Sequence, residues 1–320
     1  MAAKSKAPVE IDLTTFEPRR LLGQDQSWQQ IVDLFHNGTG PSGLILHGPS
    51  GIGKRTAALV LAKTLLSGEM PKAGHAENDA AHDRAARMVE QGAHPDLLFL
   101  EKLADKTELT VPVIRRIGAF FSTTGSFSQR RIVIIDGAEQ MNREAANALL
   151  KRLEEPPTGG LVILIARSLG SLLPTVLSRC SKVAFKPLSP EAFNAWAEAA
   201  GQPELAGLGE VAGFAPGQAL GLSDGKVLGW LDQLQALSEE FQPQRHAAKA
   251  AKLASAIGKT GDQSFRAPFL RALHDRQQDA SLSQVRRGQG LYREALSAFA
   301  RIDGLKLNAE DEWRALLARY

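Results

Sequence analysis

The segment Gly48-Pro49-Ser50-Gly51-Ile52-Gly53-Lys54-Arg55 stands between the apolar run Leu44-Ile45-Leu46 and a helical pattern from Thr56 to Leu66. No other feature narrows the fold as much. A glycine-rich turn that leaves a strand and opens a helix lets backbone N–H groups surround phosphate oxygens, while the lysine adds charge and the helix its positive end. Gly48, Gly51, Gly53 and Lys54 are therefore candidate phosphate-binding residues. Arg55, however, stands where the magnesium-binding Ser or Thr belongs. A guanidinium is always cationic and offers no acceptor, so it cannot ligate a metal. Thr56 follows one residue late and points about 100° around the helix from the needed direction.

A second run, Arg131-Ile132-Val133-Ile134-Ile135-Asp136, reads as the acidic strand of such a cassette. Asp136 is the candidate carboxylate for a metal. The next residue is Gly137, which cannot polarise water, although hydrolysis needs a water-positioning group there. Glu139 is either a displaced base or an ordinary solvated or helix-capping residue. The frame for ATP with magnesium is present, and its occupancy stays open.

The remaining runs are Leu97 to Leu100, Leu161 to Ile165 and Val183 to Phe185, each bounded by polar or turn residues, and all read as buried strands. Helical patterns separate them. One places Trp28, Ile31, Val32 and Phe35 on a single face behind Asp25 or Ser27 as cap; others run from Val113 to Phe121 and from Glu144 to Leu153. Alternating strands and helices predict a parallel sheet covered on both faces. After Pro187 no strand-like run recurs, so everything from Ser189 should be helical, with a break near Gly221 to Gly225. At 320 residues the chain is long enough for several cores. The boundaries expected are 1–187 for the α/β phosphate-loop domain, 188–224 for a small helical domain and 225–320 for a terminal helical domain; residues 1 to about 18 read as a loose lead-in.

Composition excludes more than it selects. There is no run of about eighteen apolar residues and no secretory leader pattern near Met1, which predicts a cytoplasmic protein without a membrane span. The single cysteine, Cys180, rules out an intrachain disulfide and a four-cysteine zinc module. His75, Asp79 and His82 have helical spacing but sit in a segment that reads as a solvated helix, so no metal site is expected. A net charge of +3 permits nucleic-acid contact without requiring it. The pairs Arg19-Arg20, Arg115-Arg116, Arg130-Arg131 and Arg286-Arg287 read first as solvated faces, with phosphate contact as the alternative.

Two longer stretches carry a family resemblance. They are Ile134-Ile135-Asp136-Gly137-Ala138-Glu139-Gln140-Met141-Asn142, continued by Ala145-Ala146-Asn147-Ala148-Leu149-Leu150-Lys151-Arg152-Leu153-Glu154-Glu155-Pro156-Pro157, and Leu172-Leu173-Pro174-Thr175-Val176-Leu177-Ser178-Arg179-Cys180. With Gly92-Ala93-His94-Pro95-Asp96-Leu97, they resemble the AAA+ subunits of the bacterial DNA polymerase III clamp loader, most of all the delta-prime family. The likeness spans about Leu21 to Leu222; the terminal domain fits by length and helicity.

That resemblance implies an AAA+ domain, a helical lid and an all-α collar in a five-subunit ring. It implies a subunit that does not hydrolyse ATP, requires no cofactor, and lends Arg179 as a finger to a neighbouring motor subunit. The implied partners are the motor subunits and the delta subunit, with the sliding clamp and primed DNA reached through the complex. Gln218 stands where the motors carry a phosphate-sensing arginine, and Arg167 lies near their hydroxyl-bearing sensor position. The zinc module of many relatives would fall between Ser67 and Ala93, where this chain has no cysteine. Two alternatives remain: an autonomous AAA+ ATPase using Thr56 and Glu139, and a subunit that binds ATP without turning it over.

Overall fold

The computed structural model describes residues 21–38, 40–72, 84–102, 108–122, 128–222, 226–238, 242–260, 262–275, 282–305 and 307–320. The lead-in, Arg19-Arg20 and the His75, Asp79, His82 group lie outside them. Contacts divide the chain into two compact units, residues 1–188 and 189–320.

The first unit runs α1 (Asp25–Phe35), β1 (Gly43–His47), α2 (Lys54–Leu66), α3 (Arg84–Glu90), β2 (Leu97–Leu100), α4 (Val111–Ser122), β3 (Arg131–Asp136), α5 (Arg143–Glu154), β4 (Gly160–Ala166), α6 (Pro174–Leu177) and β5 (Ser181–Ala184). Each apolar run became a strand. They form one sheet in the order β2-β3-β4-β1-β5, with every pair parallel. Leu44, Ile45, Leu46 and Ile132 to Ile135 are fully buried, as expected of strands covered on both faces. Because all strands run the same way, the loops after β1, β3 and β4 emerge together at the carboxyl edge, where ligands of open α/β sheets bind.

The expected cap of α1 is corrected. Gln24, not Asp25 or Ser27, precedes the helix, and no side chain caps it. The amide of Gln24 instead donates to Ile52 O (3.0 Å) and Lys186 O (2.7 Å), and Ser27 Oγ donates to Ala184 O (2.7 Å). Long-range carbonyls outcompete the local amides, so these side chains lock α1 to the phosphate loop and to the exit of β5.

The His94-Pro95-Asp96 turn enters β2 with a buried carboxylate. Asp96 Oδ2 accepts from Ser128 N at 2.9 Å, Oδ1 lies 3.5 Å from Arg131 Nε, and its own N–H donates to His94 Nδ1 at 3.1 Å. Arg131 also donates to Phe120 O and stacks 4.3 Å from that ring's centroid. Arg130 donates to Gly38 O at 2.7 Å. This basic pair ties loops to the sheet, so it is more than a solvated face. Arg115 and Arg116 are exposed, and the side chains of Arg286 and Arg287 lie outside the described residues.

In the second unit, α7 (Pro190–Ala199), α8 (Gly209–Ala212), α9 (Pro216–Leu222), α10 (Lys226–Ser238), α11 (Pro243–Thr260), α12 (Asp262–Asp275), α13 (Leu282–Leu305) and α14 (Ala309–Leu317) follow, and no strand occurs among the described residues. Ser189 caps α7 by accepting from Ala192 N at 3.2 Å. The segments expected as lid and collar both fall in this unit. Trp313 is fully buried among Phe265, Phe269 and Phe299, with ring centroids 5.5, 5.0 and 5.2 Å away. A tilted or edge-on cluster of this kind adds to simple area burial.

Two substitutions test these cores. Asp96→Ala leaves Arg131 beside a lost buried partner and should cost about 3–5 kcal/mol, read as a lower urea midpoint. Trp313→Ala should cost a similar amount, about 3–5 kcal/mol, by opening a large cavity. A loss below about 1 kcal/mol in either variant would show that the contacts around it contribute little.

Candidate functional site

The phosphate loop takes the left-handed backbone that its glycines allow. Gly48, Gly51 and Gly53 have φ of +144°, +79° and +99°, and Gly53 is the N-cap of α2. A Cβ on Gly48 would fall 2.2 Å from Phe185 O, so only glycine fits there. Lys54 is buried (6% exposed) and donates to Gly48 O at 2.7 Å and to Pro49 O. Burial lowers its pKa to about 8, opposed by the charges of Asp136 and Glu139. Gly48, Gly51, Gly53 and Lys54 thus come together in one loop at the start of α2.

Beside it, Arg55 faces the acidic strand. Its Nη1 lies 2.9 Å from Glu101 Oε2 and 3.4 Å from Asp136 Oδ2, and its guanidinium carbon sits 4.6 Å from the centroid of the Phe99 ring. Burial raises the pKa of Asp136 while Arg55 pulls it back, and Glu101 adds to the rise. The magnesium that the cassette implies does not fit here. Magnesium demands oxygen ligands in near-octahedral array, and the hydroxyl position is a cation already bound to the carboxylate the metal would use. No group of three His, Cys, Asp or Glu able to hold a metal occurs among the described residues.

A cavity of about 250 Å3 opens over the loop, lined by Ser50, Lys54, Glu101, Asp136, Glu139 and Arg167 among others. Glu139 is therefore neither solvated nor a cap. It is 16% exposed, Oε1 lies 3.4 Å from Arg167 Nε, and Oε2 is buried without a hydrogen-bond partner. Its short 3-10 turn, Ala138–Gln140, brings it there because Gly137 adopts φ +76°, and a Cβ on Gly137 would meet the Gln140 side chain at 2.9 Å. Gly137 thus has a conformational reason for replacing a carboxylate. Thr56, the other half of the autonomous-ATPase alternative, does not line the cavity. Gln218 lies on α9 in the second unit. Glu101 was missed at the sequence level, yet a signal existed: it directly follows a strand run, and residues at the carboxyl ends of parallel strands face the ligand crevice.

Arg179 lies elsewhere. The peptide oxygen of Arg179 would sit 3.2 Å from a Cβ on Gly43, the first residue of β1, whereas the phosphate loop leaves the other end of that strand. At about 3.3 Å per residue the two are roughly 16 Å apart. The guanidinium donates to Thr175 O and Ser178 Oγ, both at 3.0 Å, and pairs with Glu154 Oε1 at 2.8 Å. Cys180 is buried against Gly43, and burial pushes its thiol up to about 11, so it anchors the turn and is no nucleophile.

Residues 23–189 match the protein family described as DNA polymerase III, delta subunit. The chain is 36% identical over 155 residues to the DNA polymerase III subunit delta' of Pseudomonas aeruginosa, covering 48% of this chain and 46% of that protein. It is 38% identical over 150 residues to the subunit delta' of Bacillus subtilis, covering 47% and 44%. These matches span about half the length of the relatives. In fold the chain is similar to a DNA polymerase III gamma-subunit-related protein of Thermotoga maritima, with a TM-score of 0.51 and 18% identity over 92% of this chain and 97% of that one. The fold class agrees with the expected one in its layers, a parallel-sheet α/β domain followed by helices. Because the family match takes in more than half of the 320 residues, the chain belongs to the family described as DNA polymerase III, delta subunit.

Proposed function

We propose that this chain is a delta-prime-type subunit of a bacterial clamp loader that helps build the loader ring and completes a neighbour's ATP site instead of hydrolysing ATP itself. The partners in this reading are the motor subunits and the delta subunit in the cytoplasm, with the sliding clamp and primed DNA engaged through the assembly. The helices of residues 225–320 serve as its collar.

One observation carries the reading: Arg179 sits at the opposite end of β1 from the phosphate loop of its own chain, too far to touch phosphates bound there. An arginine so placed is out of reach of its own cassette, and that placement suits a finger acting in trans. Its turn is braced by Ser178 and Cys180. Its partner Glu154 is half exposed, so the ion pair is weak and exchanges readily for a phosphoryl group. Within its own cassette, Arg55 on Asp136 and Gly137 in place of a carboxylate argue against turnover, and no cofactor is needed for the role. Phosphates held by Lys54 and the loop would be a structural ligand.

In the reconstituted complex, Arg179→Ala should leave assembly intact by gel filtration while ATP turnover at the site it serves falls by about 1,000-fold or more. Unchanged turnover would remove the finger role, and turnover by the isolated chain would favour the autonomous ATPase. A second expectation concerns pH. With Lys54 near 8 in the free protein, phosphate binding above that pH requires proton uptake, because the bound form keeps the ammonium charged. ATP affinity of the isolated chain should be flat below pH 8 and fall towards about tenfold per unit above it. A flat profile to pH 9.5, about one and a half units past the midpoint, would exclude Lys54 as the phosphate ligand.

A further inference from the structure

We propose that the phosphate loop takes the phosphates of a nucleotide without a divalent cation, because Arg55 holds the metal's place as a cation built into the chain. The inference rests on the non-hydrolysing reading above and adds the ligand's form: free ATP, not its magnesium complex.

Three restraints hold Arg55 in that place. One guanidinium nitrogen contacts Glu101 and Asp136, at 2.9 and 3.4 Å, and the plane lies over Phe99. The acidic-strand carboxylate is thereby neutralised from within. A magnesium ion brought to Asp136 would meet the fixed guanidinium a few ångströms away, and like charges that close are strongly disfavoured. Nor does the position after Lys54 supply an oxygen to compensate. The same substitution that excludes the metal leaves the anion-binding groups in place. Lys54 uses two of its three donors on Gly48 O and Pro49 O, and the third is left for a phosphate oxygen. The guanidinium of Arg55 is about one-third exposed, and its remaining N–H groups have no partner among the described residues. A guanidinium fork suits phosphate oxygens better than an ammonium does. Lys54, Lys102 and Arg167 line the same cavity against the carboxylates of Glu101, Asp136 and Glu139, and Arg55 on Asp136 adds a fourth cation.

The test is equilibrium binding of ATP to the purified full-length chain by calorimetry, once in excess EDTA and once in excess magnesium chloride, repeated for Arg55→Thr with circular dichroism as a check on folding. Wild type should bind ATP about tenfold or more tighter in EDTA than in excess magnesium, which depletes the free nucleotide, and equal affinities in the two conditions would overturn the proposal. Arg55→Thr should weaken ATP binding in EDTA by about tenfold or more and recover with magnesium. Wild-type binding that collapses in EDTA would overturn the proposal while leaving a nucleotide-holding cassette. Absence of ATP binding in both conditions would overturn it together with the structural-ligand reading. Because wild type alone separates these outcomes, the test stands even if the variant does not fold. Complex turnover and Arg179 enter none of these measurements.

Discussion

The interior strand β1 governs the geometry of the first unit. It pairs with β4 on one side from Gly43 to His47 and with β5 on the other from Leu44 to His47. Its carboxyl end delivers Gly48 into a loop so tight that a single Cβ would strike Phe185 O. Its amino end is so closely packed against Cys180 and the Arg179 backbone that Gly43 also has no room for a side chain. One short, fully covered strand thus holds two functional candidates at a fixed separation. Parallel pairing fixes which end of the sheet each candidate occupies, since reversing the strand would exchange the two ends.

Around the phosphate loop, charge balance replaces coordination chemistry. Asp136 is desolvated and would be costly as an isolated anion. Arg55 supplies the compensating charge that a metal supplies in a competent cassette, and Glu101 and Phe99 keep it there. Glu139 is answered by Arg167 in the same manner. Two features that look like losses one at a time are mutually consistent: Arg55 is held by the Asp136 carboxylate, and Gly137 makes the turn that brings Glu139 inward. A site arranged like this has its charges balanced without a ligand.

Much of this was legible in the sequence because the relevant signals are local. Short apolar runs of three to five residues read directly as buried strands, and a glycine loop between such a run and a helical pattern reads as a phosphate cradle. Polar side chains were harder. Gln24, Ser27, Arg130 and Arg131 all look like caps or solvated charges, yet each bonds a backbone carbonyl, and their partners Ile52, Ala184, Gly38 and Phe120 belong to other segments. Sequence spacing says nothing about a bond between positions 28 or 157 residues apart. Asp96 was visible as part of a motif, but its role as the buried anchor of β2 and β3 was not.

The sequence by itself determined the strand-loop-helix cassette, the helical character beyond residue 188 and the loss of a metal-binding hydroxyl at Arg55, since each depends on residue type and near-neighbour order. Only the tertiary structure decided what Arg55 does instead, that Glu139 reaches the cavity while Thr56 does not, and that Arg179 lies a strand's length from its own phosphate loop. Those facts depend on which strands become neighbours and on where their ends point. Both follow from packing the whole sheet and from no single segment of it.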